Sequence, residues 1–197
     1  KNSTFIASWR RSYLQFLFQA LGLPFLPKYD DLLFKTRIRL NPKNEITLIG
    51  LGALDDVTLN LKDNKTEFQQ YILGYIPVYK QWNYTVGGSY RHYREKGYST
   101  LIISRNQLNN RAFKYKNNDE SNPDDKILDY HSTETENKLR LENTSRTGTL
   151  KINSGVSAEA VSYTNSTYSN LPFVGVVDYV SALDFFRYSA FAQLSSD

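Results

Sequence analysis

The 197-residue chain has no cysteine. That excludes a disulfide framework, a thiolate zinc or iron–sulfur site and a cysteine nucleophile. It has no methionine either, and it starts at Lys1 without a recognisable signal sequence, so it reads as a piece of something larger. Its two histidines, His92 and His131, have no companions at metal-ligand spacing. No run of about 18 apolar residues exists, so no transmembrane helix is expected. A barrel strand needs only about 10 residues of alternation, so the membrane itself is not excluded. A one-sided charge is also missing. The 24 Lys+Arg against 20 Asp+Glu leave a net charge of +4, and the basic residues are interspersed with acidic ones. No nucleic-acid partner is expected from such a pattern.

What the chain has in quantity is aromatic residues: 15 Tyr, 11 Phe and 2 Trp. The mean hydropathy is nevertheless polar, at −0.52. Both facts suit a β-protein with one apolar and one wet face. Period-2 alternation recurs along the chain. Leu32, Phe34, Thr36, Ile38 and Leu40 alternate with Leu33, Lys35, Arg37 and Arg39, giving one apolar and one cationic face. Asn41-Pro42-Lys43-Asn44 then reads as a tight turn. Further strands are expected at 45–54, 71–78, 82–92, 98–104, 112–116, 127–145 and 150–160, and from Phe186 to the end. Leu14–Leu23 could form one short helical turn, stopped by Gly22 and Pro24. The pattern predicts an all-β fold of about ten strands in an antiparallel up-and-down meander. The whole of 1–197 is taken as a single partial β-barrel domain.

Connection lengths sharpen this. Short turns are expected at 41–44, 79–81, 105–109 and 146–148, and long connections at 13–29, 55–67, 117–126 and 164–182, with 94–97 the one short member of the long class. Long loops gathered at one end are the habit of outer-membrane barrels. A cationic row such as Lys35, Arg37 and Arg39 is expensive in a small dry core but stays hydrated in a wide lumen. Trp9, Tyr71, Tyr79, Trp82, Tyr84, Tyr90 and Tyr188 suit interfacial girdles. The competing reading is a soluble β-sandwich or small barrel, with its apolar faces pressed together, acting as a binding module for carbohydrate through exposed Tyr and Trp.

No catalytic constellation emerges, so no enzyme is expected. Gly50-Leu51-Gly52 lacks the third glycine and the helix of a dinucleotide site. The acidic stretch 119–125 lacks the glycine and closing glutamate of a calcium loop. Glu134 and Glu136 belong to a charge row with Lys138 and Arg140 rather than to a glycosidase pair. No cofactor or metal is implied. The weak candidates for ligand contact are Arg37, Arg91, Lys138 and Arg140.

The stretch Ser12-Tyr13-Leu14-Gln15-Phe16-Leu17-Phe18-Gln19-Ala20-Leu21-Gly22-Leu23-Pro24-Phe25-Leu26-Pro27-Lys28-Tyr29-Asp30-Asp31, with Phe34–Arg37, Ile49–Ala53, Tyr98–Leu101, Ser104–Asn106, Asn109–Ala112 and Arg187–Gln193, resembles the barrel region of TonB-dependent outer-membrane receptors. The resemblance spans nearly the whole chain, and its motifs are structural. It implies a bacterial outer-membrane protein, with this chain supplying about ten strands of a 22-stranded barrel. It also implies contact with outer-membrane lipid, uptake of a small ligand or oligomer from the cell surface, and TonB acting through an N-terminal plug. Neither a plug nor a TonB box is found in this sequence.

Overall fold

Alternating side chains organise the chain into eight antiparallel strands joined in a single sheet whose strand order, β1 to β8, is the order of the sequence. The computed structural model describes residues 2–62, 64–173 and 175–196, without the side chain of Leu171. Lys1, Asp63, Val174 and Asp197 lie outside the described residues, with the parts of the expected 55–67 and 164–182 connections that they occupy. The strands are β1 (Ser3–Arg11), β2 (Phe25–Asn41), β3 (Asn44–Leu59), β4 (Val78–Arg94), β5 (Gly97–Tyr115), β6 (Lys126–Thr147), β7 (Leu150–Leu171) and β8 (Gly175–Ser196). Two helices interrupt them, α1 (Leu14–Ala20) and α2 (Glu67–Tyr75). The fold is therefore an all-β up-and-down meander. Its outer strands β1 and β8 do not pair with each other, so the sheet is open.

Eight strands replace the expected ten because the strands are longer than apolar alternation alone marks. Residues 79–81 are the beginning of β4 and residues 105–109 the middle of β5. Tyr163–Ala182, expected as a long connection, is mostly strand: β7 runs to Leu171 and β8 resumes at Gly175. The supposed strand at 112–116 is the end of β5, and the strand expected at 71–78 is largely α2. The helical turn expected at Leu14–Leu23 does form, as α1, and ends at Gly22 with φ 65°.

The connections divide by end. The β2–β3, β4–β5 and β6–β7 links occupy only 42–43, 95–96 and 148–149, and all lie at one end of the sheet, so the 94–97 turn belongs with the short links and not with the long class where it was expected. The opposite end carries 12–24, 60–77 and 116–125, and the brief 172–174. Antiparallel neighbours joined in sequence produce this alternation. The concentration of length at one end is a property of this chain.

The long connections are knitted together. α2 opens with a capping box: Thr66 Oγ1 accepts from the Gln69 amide at 3.2 Å, and Gln69 Oε1 accepts from the Thr66 amide at 3.0 Å. The same Gln69 donates through Nε2 to the Gly22 carbonyl at 2.8 Å, joining α2 to the turn after α1. Asn60 donates through its amide to Pro24 O at 2.9 Å and through Nδ2 to Leu23 O at 3.1 Å. Pro24 and Leu73 are buried under this cap.

Lys114, near the end of β5, is buried, and its ammonium donates to the carbonyls of Leu73 and Ile76 and to Asn118 Oδ1. A cation against the last carbonyls of a helix answers both the helix dipole and the orphan acceptors. Burial pushes the Lys114 ammonium below its ordinary lysine range. Lys114→Met keeps the stem and removes the three donors. It should leave the sheet intact while exposing 67–75 to proteolysis, and the whole protein should lose about 1–3 kcal/mol. An unchanged cleavage rate in that segment would show that the ammonium does not hold α2.

Candidate functional site

The two faces of the sheet differ in chemistry, and the register fixes which residues share each. On one face the row Ile38–Ile46–Tyr90–Leu101–Leu141–Val156–Ala190 runs unbroken across β2 to β8. The next row toward the long connections is Thr36–Leu48–Gly88–Ile103–Leu139–Ala158–Tyr188. Phe5, Trp9, Leu32, Phe34, Leu54 and Phe186 extend the same face. No second sheet lies over it among the described residues, and its side chains are open: Trp9 is 68% exposed, Ile103 57%, Val156 53% and Tyr188 75%. Monomeric soluble proteins rarely expose contiguous apolar patches beyond a few hundred Å².

The opposite face is polar and charged. Arg37 donates to Glu45 Oε2 at 2.5 Å, and the Glu45 side chain is nearly buried. Arg91 donates through Nε to Thr100 Oγ1 at 3.2 Å, and its guanidinium lies 4.9 Å from the Tyr98 ring. Arg140 meets Glu142 at 2.5 Å and stands over Phe191 at 5.4 Å. Lys138 belongs to a neutral quartet, contacting Glu136 at 2.9 Å and Glu159 at 3.8 Å. Arg187 closes that quartet with contacts of 2.9 Å to Glu136 and 2.6 Å to Glu159. The cations of these pairs are about half exposed and screened by water, so each pair contributes at most about 1 kcal/mol. What they set is orientation: a lattice of opposite charges that needs water on one side.

No family model matches the chain, and no curated protein matches it either. The functional reading therefore rests on the geometry of the two faces.

All four sequence-derived candidates, Arg37, Arg91, Lys138 and Arg140, stand on the charged face, in three successive register rows. Arg37 and Arg140 share one row, through Thr47, Ser89 and Ile102, and are about 19 Å apart across four strand spacings. Lys138 precedes Arg140 by two residues on β6, and Arg91 stands between on β4. They form no common pocket. Each already has a protein partner, so a ligand here would meet a paired surface rather than a free cation. Sequence reasoning passed over Glu159 and Arg187, which complete the quartet. Their signal was alternation: Glu159 lies between Ala158 and Ala160, and Arg187 between Phe186 and Tyr188.

The aromatic girdle needs one correction. Trp9, Trp82, Tyr84, Tyr90 and Tyr188 are on the apolar face, with Trp82 and Tyr84 stacked at 6.2 Å. Tyr79 points to the charged face by register, and Tyr71 is on α2, where it packs against Tyr75 at 4.8 Å. The histidines are structural in their contacts: His92 Nδ1 is 2.7 Å from Asn44 Oδ1, and His131 Nε2 is 2.8 Å from Asn109 Nδ2. Among the described residues no group of three or more acidic or histidine side chains could hold a metal. No helix is long and apolar enough to cross a membrane, which says nothing of crossing by strands.

Proposed function

We propose that this chain is part of the barrel of a bacterial outer-membrane receptor of the TonB-dependent type, which binds a nutrient at the cell surface and imports it. The observation that carries this reading is the pairing of an uncovered apolar face with a charged face in one open meander. Closing such a sheet with further strands puts acyl chains against the first face and a wet lumen against the second.

Three features support it. The long connections collect at one end, as extracellular loops do, and the two-residue turns at the other. The strands of 22 residues span about 73 Å along their length and about 55 Å after a tilt near 40°. An apolar band is about 25 Å tall, so such strands project well past the bilayer. That accounts for polar residues such as Gln107, Asn109, Thr133 and Thr135 on the otherwise apolar face toward the loop end. Lastly, an exposed β8 edge of 22 residues invites pairing with another strand. In this role the loop cap around α1, α2 and Lys114 meets the ligand first. The charged rows of Arg37, Arg91, Arg140 and Lys138 line the path inward, and TonB acts through a plug elsewhere in the receptor.

A tryptophan at Leu48, which lies on the apolar face on the turn side of the polar rows, provides the test in a protein whose Trp9 and Trp82 are replaced by Phe. In vesicles containing brominated phospholipid, the fluorescence of Leu48→Trp should be quenched by more than about half, whereas iodide in the water should quench little. The reverse pattern, or a compact monomer without detergent that hides this ring, would favour the soluble carbohydrate-binding sandwich instead.

A further inference from the structure

Arg105 breaks the rule of its face. It occupies the row Phe34–Gly50–Val86–Arg105–Asn137–Ala160–Phe186, where Asn137 is the one other polar residue and the rest are apolar or small. An arginine on the lipid side of a barrel costs about 2–4 kcal/mol at mid-depth and near zero at the interface. Arg105 is eight residues from the turn at Gly97, about 26 Å along the strand and about 20 Å in projection. That places it near the outer edge of the band, at headgroup level.

Its surroundings are neutral. Nε donates to Tyr84 Oη at 3.1 Å, Nη1 to Asn137 Oδ1 at 3.0 Å and Nη2 to Gln107 Oε1 at 3.4 Å. No carboxylate pairs with it among the described residues. The acidic residue on its face in the adjacent row, Asp184, lies three strands away, about 14 Å. Two of its five N–H donors remain for another acceptor. Farther toward the loops on the same face, Lys80 stands beside Asp56 in the register and Arg111 meets Asp129 at 3.6 Å, so those cations are answered where Arg105 is not.

Directly beneath Arg105 an open groove of about 710 Å³ runs across the sheet. Gly88, Ile103, Leu139 and Ala158 form its floor. Phe186 and Tyr188, stacked at 6.4 Å, stand along one side. A fixed, uncompensated guanidinium at the mouth of an apolar trough matches an amphiphile with one anionic head.

The geometry points to a phosphate-bearing membrane lipid as the occupant, its headgroup on Arg105 and one acyl chain along the Gly88–Ile103–Leu139–Ala158 row. This rests on the membrane reading above. The protein in phosphatidylcholine vesicles is probed with spin-labelled phosphatidylglycerol and spin-labelled phosphatidylcholine, and the immobilised fraction of each is measured. The expected preference for phosphatidylglycerol is about fivefold, the scale of one basic side chain at a membrane surface. Arg105→Ala should reduce it to near unity, Arg105→Lys should retain part of it, and Ala158→Phe, which fills the groove and leaves Arg105 in place, should weaken it. Millimolar inorganic phosphate should not compete. A preference that survives in Arg105→Ala, or one abolished by free phosphate, overturns the lipid site. An immobilised component without any headgroup preference overturns it while leaving the barrel reading standing. If neither lipid is immobilised, both readings fall.

Discussion

Arginine at Leu48 or Val156 is expected to destabilise the bilayer-embedded protein by about 2–4 kcal/mol, whereas arginine at Ala53 should cost less than about 1 kcal/mol. Leu48 and Val156 are exposed on the apolar face, in the two adjacent rows that pass through Ile103 and Leu101. Ala53 is on the charged face, directly across from Asp31, so a new guanidinium there gains a partner and stays wet. The contrast separates the two environments. Against acyl chains, the penalty follows depth, and arginine at Leu54, toward the loop end of β3, should cost distinctly less than at Leu48. Against a second protein layer, the penalty would follow packing instead and leave no depth gradient. Reversible urea unfolding from vesicles measures all four variants. Equal penalties at Leu48 and Ala53 would remove the distinction between the faces on which the functional proposal stands.

The second large effect belongs to a turn. Gly97 begins β5 with φ +155°, and a Cβ built there would lie 1.9 Å from the Thr144 carbonyl oxygen and 2.9 Å from Ser145 Cα. Both obstacles are backbone of the paired strand β6, so neither can move without breaking the ladder. Gly97→Ala should cost about 3 kcal/mol or more, through backbone strain and the lost β5–β6 register together. Gly148, in the β6–β7 turn, has φ +61° but open space around its Cα. Gly148→Ala should cost only the left-handed penalty of about 1–2 kcal/mol, and Gly148→Asn less still. If the two alanine variants unfold at the same denaturant concentration, the close approach at Gly97 is not what constrains that hairpin.

The legible parts of the sequence were those where lipid-like and water-like residues alternate. Leu32–Leu40 and Trp82–Tyr90 could be assigned to strands, faces and register parity without a structure, because a one-residue slip would invert every side chain. Alternation failed as a guide where both faces are polar. Arg105 to Asn110 reads as a turn by composition, with three asparagines in six residues. In the fold it is mid-strand, held by ladders to β4 and β6 and by side-chain bonds such as Asn109 Nδ2 to Thr133 Oγ1 at 3.0 Å. The same blindness hid the β7 arm of the β7–β8 hairpin, where Tyr, Ser, Thr and Asn fill both faces from Tyr163 to Asn170.

α2 escapes the alternation rule for a different reason. Tyr71, Ile72, Tyr75, Ile76 and Val78 carry strong strand propensity, and the local sign of a helix is the Thr66-x-x-Gln69 capping box just before them. The alternation puts the candidate cations on the charged face, and Glu136 and Glu142 stand beside Lys138 and Arg140 on the same strand, but the partners Glu45 and Glu159 come from neighbouring strands. No local pattern reports such pairings until the register is known.

Strand order that copies chain order has a consequence for how such a wall is made and altered. Each ribbon touches only the two beside it, so a hairpin is a self-contained brick with its inner and outer surfaces already assigned. In the barrel proposed above, inserting or deleting one would widen or narrow the enclosure by two staves while leaving the remaining seams as they were. The circumference of that proposed vessel, and so the size of what it could admit, would then change by duplication alone.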